Sequence, residues 1–171
     1  TLEELGLYNL GVRFGMIITV LVGGPIALVW RPLALSQKNS SDFKNFVSLI
    51  TTYVFLLSVF VTLLVSILSK EIIQIVSDKE YWEAYKVVPI IALAYLVIIP
   101  SYIYSISFDI SRKTKFVASY YLVAAILSLS LNFLFVEKYG MFGAAFSLLG
   151  SHLCIVLISF IISQKLLYIN F

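Results

Sequence analysis

Few residues in this sequence carry chemistry that could act on a ligand, and most of those lie inside long apolar runs. Arg13 stands about eight residues into the first run, roughly 12 Å deep at 1.5 Å per residue. An arginine at a bilayer centre costs about 2.5–3.5 kcal/mol on insertion scales, so something must compensate it. Gly6, Asn9 and Arg13 share one helical stripe, which Val20 and Gly24 continue approximately. Two readings stand. The guanidinium snorkels to the nearer interface, or it faces a water-filled cavity beside Asn9 and meets an anionic substrate.

The other polar residues point to packing. His152 lies near the middle of the last apolar run. Imidazole titrates near working pH and can relay protons, but no carboxylate lies in any apolar run to partner it. A helix-packing hydrogen bond is the better reading, and Asn132 is read as bonding a neighbouring helix in the same way. Asp109 is expected to pair locally with Arg112 or Lys113, or to cap a turn. Cys154 is the only cysteine, so it reads as a small buried hydrophobe with no intrachain disulfide.

Catalytic patterns are absent from the sequence. One His and one Cys do not make a common zinc site. There is no G-x-S-x-G, no P-loop, no H-E-x-x-H and no pair of intramembrane carboxylates for acid–base work. The expectation is a non-enzyme with no catalytic residue, metal or cofactor.

Backbone breakers give a second class of candidate. Gly23, Gly24 and Pro25 should kink the first run near its far end. Pro100 sits in mid-run, where it removes one backbone bond and frees a carbonyl for Ser101, for water or for a cavity wall. Both breaks read as structural kinks or as gating hinges of the broken-helix kind. Gly11 and Gly15 form a G-x-x-x-G, read as a site of close helix packing.

The elements that hold these residues follow from the lipid. Hydrophobic residues make up 61% of the 171 and charged ones 12%. A soluble domain carries about 25% charged residues, so too few remain here to cover a water-facing surface. A bilayer core of about 30 Å takes roughly 20 apolar residues as helix, and five stretches qualify: about 5–30, 45–69, 87–108, 116–136 and 139–164. They predict an all-α, polytopic transmembrane bundle, a single membrane domain over 1–171. Polar connectors are expected at 31–44, 70–86 and 109–115, with a very short hairpin at 137–138. The stretch Glu71–Val76 reads as the end of span two or as a short helix lying on the outer face. The chain begins at Thr1, just before a span, which fits a fragment.

Charge orients the bundle. One set of connectors carries Arg31, Lys38, Lys44, Arg112, Lys113, Lys115 and Lys165 against Asp42 and Asp109. The other carries Lys70, Lys79, Lys86 and Lys138 against seven carboxylates, from Glu3 to Glu137. By the positive-inside rule the first side, with the C-terminus, is cytoplasmic. Basic residues in short clusters between apolar runs argue against nucleic acid as a partner. Trp30 is expected at the cytoplasmic headgroup level, and Tyr81, Trp82 and Tyr85 at the outer one.

Several of these residues resemble a known family. Gly6-Leu7-Tyr8-Asn9-Leu10 is similar to the start of the eighth span of polysaccharide-export flippases (Wzx-type, O-antigen translocases), and Trp30-Arg31-Pro32 to its cytoplasmic end. Tyr81-Trp82-Glu83-Ala84 followed by Val88-Pro89-Ile90 looks like the approach to the tenth span. Asn132 with Glu137-Lys138-Tyr139-Gly140-Met141-Phe142-Gly143-Ala144-Ala145 resembles the most distinctive signature, between spans eleven and twelve. The resemblance covers nearly the whole chain. It implies the C-terminal half of a member of the multidrug/oligosaccharidyl-lipid/polysaccharide exporter superfamily, with a MATE-like fold of two six-helix lobes around a central cavity. It also implies a cell-membrane flippase for an undecaprenyl-diphosphate-linked oligosaccharide, used in O-antigen, capsule or exopolysaccharide biosynthesis by alternating access. The partners so implied are the bilayer, that lipid-linked glycan and an N-terminal lobe of the same protein. In the family the cavity is cationic, and Arg13 is the one cation within these spans. Three alternatives remain open: a cation-coupled multidrug exporter of the same superfamily, a membrane-embedded glycan-processing enzyme, and a non-transporting scaffold.

Overall fold

A bilayer core offers no water to backbone polar groups, so they must pair within the chain. The computed structural model describes residues 2–113 and 115–166, and these are all-helical with no strand. Leu2–Gly15 is α1 and Gly24–Gln37 is α2, with a π-helical turn at Thr19–Gly23 between them. Phe43–Val76 is α3, and a 3₁₀ helix at Lys79–Lys86 leads to α4 at Val88–Tyr104 and α5 at Ile106–Ile110. Lys115–Leu166 is α6. Four helical stretches are long and apolar enough to cross a membrane: Glu3–Gln37, Phe43–Val76, Val88–Ile110 and Lys115–Leu166.

The fourth stretch is folded on itself. Its 52 residues contain one non-helical residue, Gly140, at φ 52° and ψ −128°. A side chain at positive φ crowds the backbone, and glycine has none. Beyond the break the chain returns along its own path. A Cβ on Gly143 would run into the backbone of Phe135, and one on Gly150 would lie 2.9 Å from Leu131 Cδ1. An unbroken helix would hold the first of those pairs roughly 12 Å apart. Each arm of the hairpin spans about 25 residues, or roughly 37 Å.

Three boundaries differ from expectation for one reason. The sequence places the hairpin at 137–138, yet Glu137, Lys138 and Tyr139 continue the helix and Gly140 makes the turn. It ends the first span near Trp30, yet α2 runs on to Gln37 with Ala34 fully buried. It opens the next connector at Lys70, yet α3 runs to Val76, with Ile73 buried between exposed Glu71 and Ile75. In each case charges sit on the outward face of a helix that has not ended. Glu71–Val76 is therefore the end of α3. The connector expected at 109–115 includes Thr114, which lies outside the described residues, as does the C-terminus.

α4 is the hub. Of its most apolar stretch 61% is buried, against 17–28% for the other three, and α1, α2, α3 and α6 all pack on it. Glycines set the α1–α4 approach. A Cβ on Gly11 would lie 2.7 Å from Val87 Cγ2, and one on Gly15 2.5 Å from Ile91 Cγ2. The G-x-x-x-G is thus a close-packing site within the chain. On α3 and α6 the buried positions are repeatedly hydroxyls. Ser58 and Thr62 donate to carbonyls one turn back, as do Ser147 and Ser151, and Ser163 bonds Ser107 across the bundle at 2.7 Å. Such side chains pack closely while pairing their only polar atom.

The connectors segregate by charge. Arg31 bonds Asp109 at 2.9 Å at one end of the bundle. At the other end Gly6 lies under Tyr81, and Gly140 lies against Glu4. The basic and acidic connectors therefore occupy opposite ends.

Candidate functional site

The stripe read from the sequence lines a real concavity. Gly6, Asn9, Leu10 and Arg13 of α1 and Tyr81 of the 3₁₀ helix enclose an open recess of about 290 Å³. A second recess of about 530 Å³ adjoins it, lined by Glu3, Gly6, Glu80 and Tyr81. Gly6 and Tyr81 belong to both, because a Cβ on Gly6 would sit 3.1 Å from the Tyr81 ring. Carboxylates thus stand at the rim and a guanidinium deeper in. Glu3 and Arg13 are separated by roughly 15 Å along the helix.

Asn9 and Arg13 are both exposed on this face, and Arg13 has no ion pair among the described residues. Its five donors in a planar fork suit bidentate contact with a carboxylate or phosphate. Tyr81 enters from an element that the sequence assigned to the headgroup belt. The Y-W-x-x-Y pattern fits both roles, and only the fold brings Tyr81 over Gly6.

The breakers take definite forms. At Gly23-Gly24-Pro25 the kink is a π turn: Gly24 N–H donates to the Thr19 carbonyl, five residues back. Pro25, at the start of α2, has no N–H to donate. A Cβ on Gly23 would meet Ile99 Cδ1 at 3.0 Å and Tyr102 Cε2 at 3.1 Å, so the turn rests on α4 beside Pro100. Pro100 is buried and helix continues past it to Tyr104. Ser101 does not satisfy the carbonyl one turn before the proline; its hydroxyl donates to Ile98 at 2.7 Å.

His152 Nδ1 lies 2.9 Å from the Ala94 carbonyl, and its ring tilts against Tyr95 at 5.5 Å. A carbonyl only accepts, so Nδ1 carries the proton. The helix-packing reading of this residue matches the geometry.

Three placements are corrected. Asn132 donates to the Ser128 carbonyl of its own helix at 2.8 Å, not to a neighbour. Asp109 pairs with Arg31, far away in sequence, and not with Arg112 or Lys113. Trp30 does not present its ring to the surroundings as a belt residue would: it is 3% exposed, donates to the Ile103 carbonyl at 3.1 Å and stacks on Phe46 at 6.0 Å. An indole beside an arginine reads as an interface anchor, but Trp30 faces inward while Arg31 faces outward.

The acidic end carries further polar structure. Trp82 donates to the Ser77 carbonyl, Lys79 lies over the Trp82 ring at 6.0 Å, and Lys70 lies over Tyr85 at 5.7 Å. Lys86 pairs with Glu83, and this partner raises its pKa above the usual lysine value. A recess of about 280 Å³ between α1 and the hairpin, lined by Glu4, Tyr8, Gly140 and Met141 among others, had no signal in the sequence beyond the Tyr-Gly turn. No group of three or more His, Cys, Asp and Glu that could hold a metal ion occurs among the described residues. No family model, curated protein or solved structure matches the chain.

Proposed function

We propose that this chain is the C-terminal part of a flippase that carries a lipid-linked oligosaccharide across the cell membrane, with the Asn9/Arg13 face of α1 lining the path. The observation that carries the reading is an exposed arginine without an ion pair among the described residues, within an apolar helix and opening into a recess. A charge left uncompensated at that depth is costly unless it meets water or an anion. A diphosphate supplies paired oxygens for a bidentate guanidinium. Asn9, one turn away, supplies an amide donor for the same group or for the first sugar.

The reading takes α1–α2, α3, α4–α5 and the two arms of α6 as five crossings. The Arg31 end faces the cytosol by the excess of basic connectors, and the C-terminus lies there too. A further lobe of the same protein closes the cavity opposite Arg13. The resemblance of Glu137–Ala145 to the flippase signature supports the cargo class.

The test is complementation of a flippase-null strain with the full-length protein. Arg13→Ala is expected to abolish surface polysaccharide at normal membrane levels, and Arg13→Lys to restore part of it. Export by Arg13→Ala at the parental level would remove this residue from the path.

A further inference from the structure

The π turn at Thr19–Gly23 is maintained against a visible cost. Thr19 Oγ1 is the one buried side-chain polar atom without a partner among the described residues. Elsewhere hydroxyls inside regular helix back-bond one turn away, as Thr51, Thr52, Ser58 and Thr62 do on α3. Gly23 and Gly24 also sit within the helix, where glycine is a poor former. Something offsets these penalties.

The helical phase identifies it. α1 and α2 are held to α4 at both ends. Above the turn, Gly11 and Gly15 press on Val87 and Ile91. Below it, Trp30 and Ala34 are buried, and Trp30 and Arg31 reach across to Ile103 and Asp109. In an uninterrupted α-helix, at about 100° per residue, Leu7 and Trp30 would diverge by roughly 140°, and so would Gly11 and Ala34. A π turn takes one surplus residue out of the phase. Both divergences then fall to roughly 40°, within a single core-facing stripe. The same correction acts on the polar face. With the turn, Asn9 and Arg13 each lie about 160° from Trp30; without it they would lie about 60° and 100° away.

We infer that the Thr19–Gly23 turn is a positioning element: it absorbs one residue so that a single helix buries both its ends on α4 while Asn9 and Arg13 point away from it. Pro25 favours the turn by lacking the N–H that would continue α-bonding, and Gly23 lets α4 lie against it.

Deleting one residue from the turn should leave both ends in phase, because the surplus is what is lost. In the full chain carrying Cys154→Ser, Gly11→Cys with Val87→Cys reports the upper end, since the built Cβ lies 2.7 Å from a Val87 methyl carbon that the substitution removes. Arg31→Cys with Asp109→Cys, bridged by a short bifunctional thiol reagent, reports the lower end. Deletion of Val20 is expected to keep both crosslinks near parental yield. An alanine inserted between Val20 and Leu21 is expected to cut one of them by about ten-fold, because disulfide formation tolerates only small displacements. Loss of either crosslink on deletion would overturn the inference. If the deletion variant does not accumulate, the insertion variant decides: two undiminished crosslinks refute the phase argument. These readouts are geometric, so they succeed or fail separately from the Arg13 complementation.

Discussion

Truncating Trp30 separates a buried anchor from a headgroup ornament. Its indole is 3% exposed, its N–H meets the Ile103 carbonyl at 3.1 Å and its ring stacks on Phe46. Trp30→Phe keeps most of the volume and loses one hydrogen bond. Interhelical bonds in membranes are worth about 0.6 kcal/mol on average and up to about 1.7, so about 1 kcal/mol of destabilisation is expected. Trp30→Ala also opens a cavity. In water-soluble cores such truncations cost about 3–5 kcal/mol, part of it transfer from water. Lipid is as apolar as the core, so that part is mostly absent. The lost packing contacts remain, and about 2–3 kcal/mol is expected. Detergent-solubilised protein titrated with a denaturing detergent gives the unfolding free energies. Iodide quenching in a Trp82→Phe background should leave Trp30 emission protected, whereas Trp82 in a Trp30→Phe background is quenched. If both Trp30 variants unfold within about 0.5 kcal/mol of the parent and iodide reaches Trp30 freely, the residue sits at the interface and the α2–α4 tether described here does not exist.

Three further outcomes follow from single contacts. Gly15→Ala places a Cβ 2.5 Å from Ile91 Cγ2 and 3.1 Å from the Ala92 nitrogen; overpacking of about 1–3 kcal/mol should lower its unfolding midpoint, while Gly24→Ala, whose nearest neighbour is the Thr19 carbonyl at 3.4 Å, should hold it or raise it, because alanine is the better helix former. Gly140→Ala forces a side chain to φ 52° and against Glu4. It should cost about 1–3 kcal/mol from backbone strain alone and raise protease cleavage at the hairpin, and equal protease resistance would argue for a different turn. A double-mutant cycle on Arg31→Ala and Asp109→Ala should return under about 1 kcal/mol, because Arg31 is two-thirds solvent-exposed and water screens the pair; a larger coupling would mean that the pair is buried in the membrane-bound protein.

Much of the fold was legible because lipid enforces one rule at a time. Uncharged apolar runs long enough to cross gave the helices. The Gly11/Gly15 spacing gave the α1–α4 approach, and the Gly6/Asn9/Arg13 spacing gave one wall of the recess. Helix ends were misjudged wherever charge was used as punctuation. Lys70 and Glu71 mark the outward face of α3 and not its end, since Ser69 and Ile73 beside them are buried. Trp30 was misplaced for the same reason, by being assigned the environment of Arg31. What sequence spacing did not supply was any relation between elements. Tyr81 over Gly6, Asp109 beside Arg31 and Ser163 beside Ser107 depend on which helices the hub α4 gathers. The hydroxyl pattern Ser147, Ser151, Ser159, Ser163 does repeat at helical spacing, and it marks a tightly packed face. Serine also occupies exposed helical positions, as Ser119 and Ser130 do, so the pattern gains meaning only from the partner helix.

The contacts that α4 and α5 make with α1–α2 also orient Arg13. A lone cation on a helix that was free to roll would turn toward whichever surface hydrates it best. α1–α2 is kept from rolling by glycine contacts to Val87 and α4 above the π turn, and below it by Trp30 on α4 and Arg31 on α5. Rolling by one residue would drive a side chain into Val87 or Ile91 and withdraw the indole from Ile103. The stiffness that orients Arg13 is therefore built from apolar and backbone contacts, and it needs no partner for the guanidinium itself. Among the described residues no ion pair engages Arg13, which leaves its N–H donors to the open face. Under the flippase reading proposed above, a site that receives an anion and then releases it gains from this arrangement, since an internal counter-charge would compete with the ligand at every cycle.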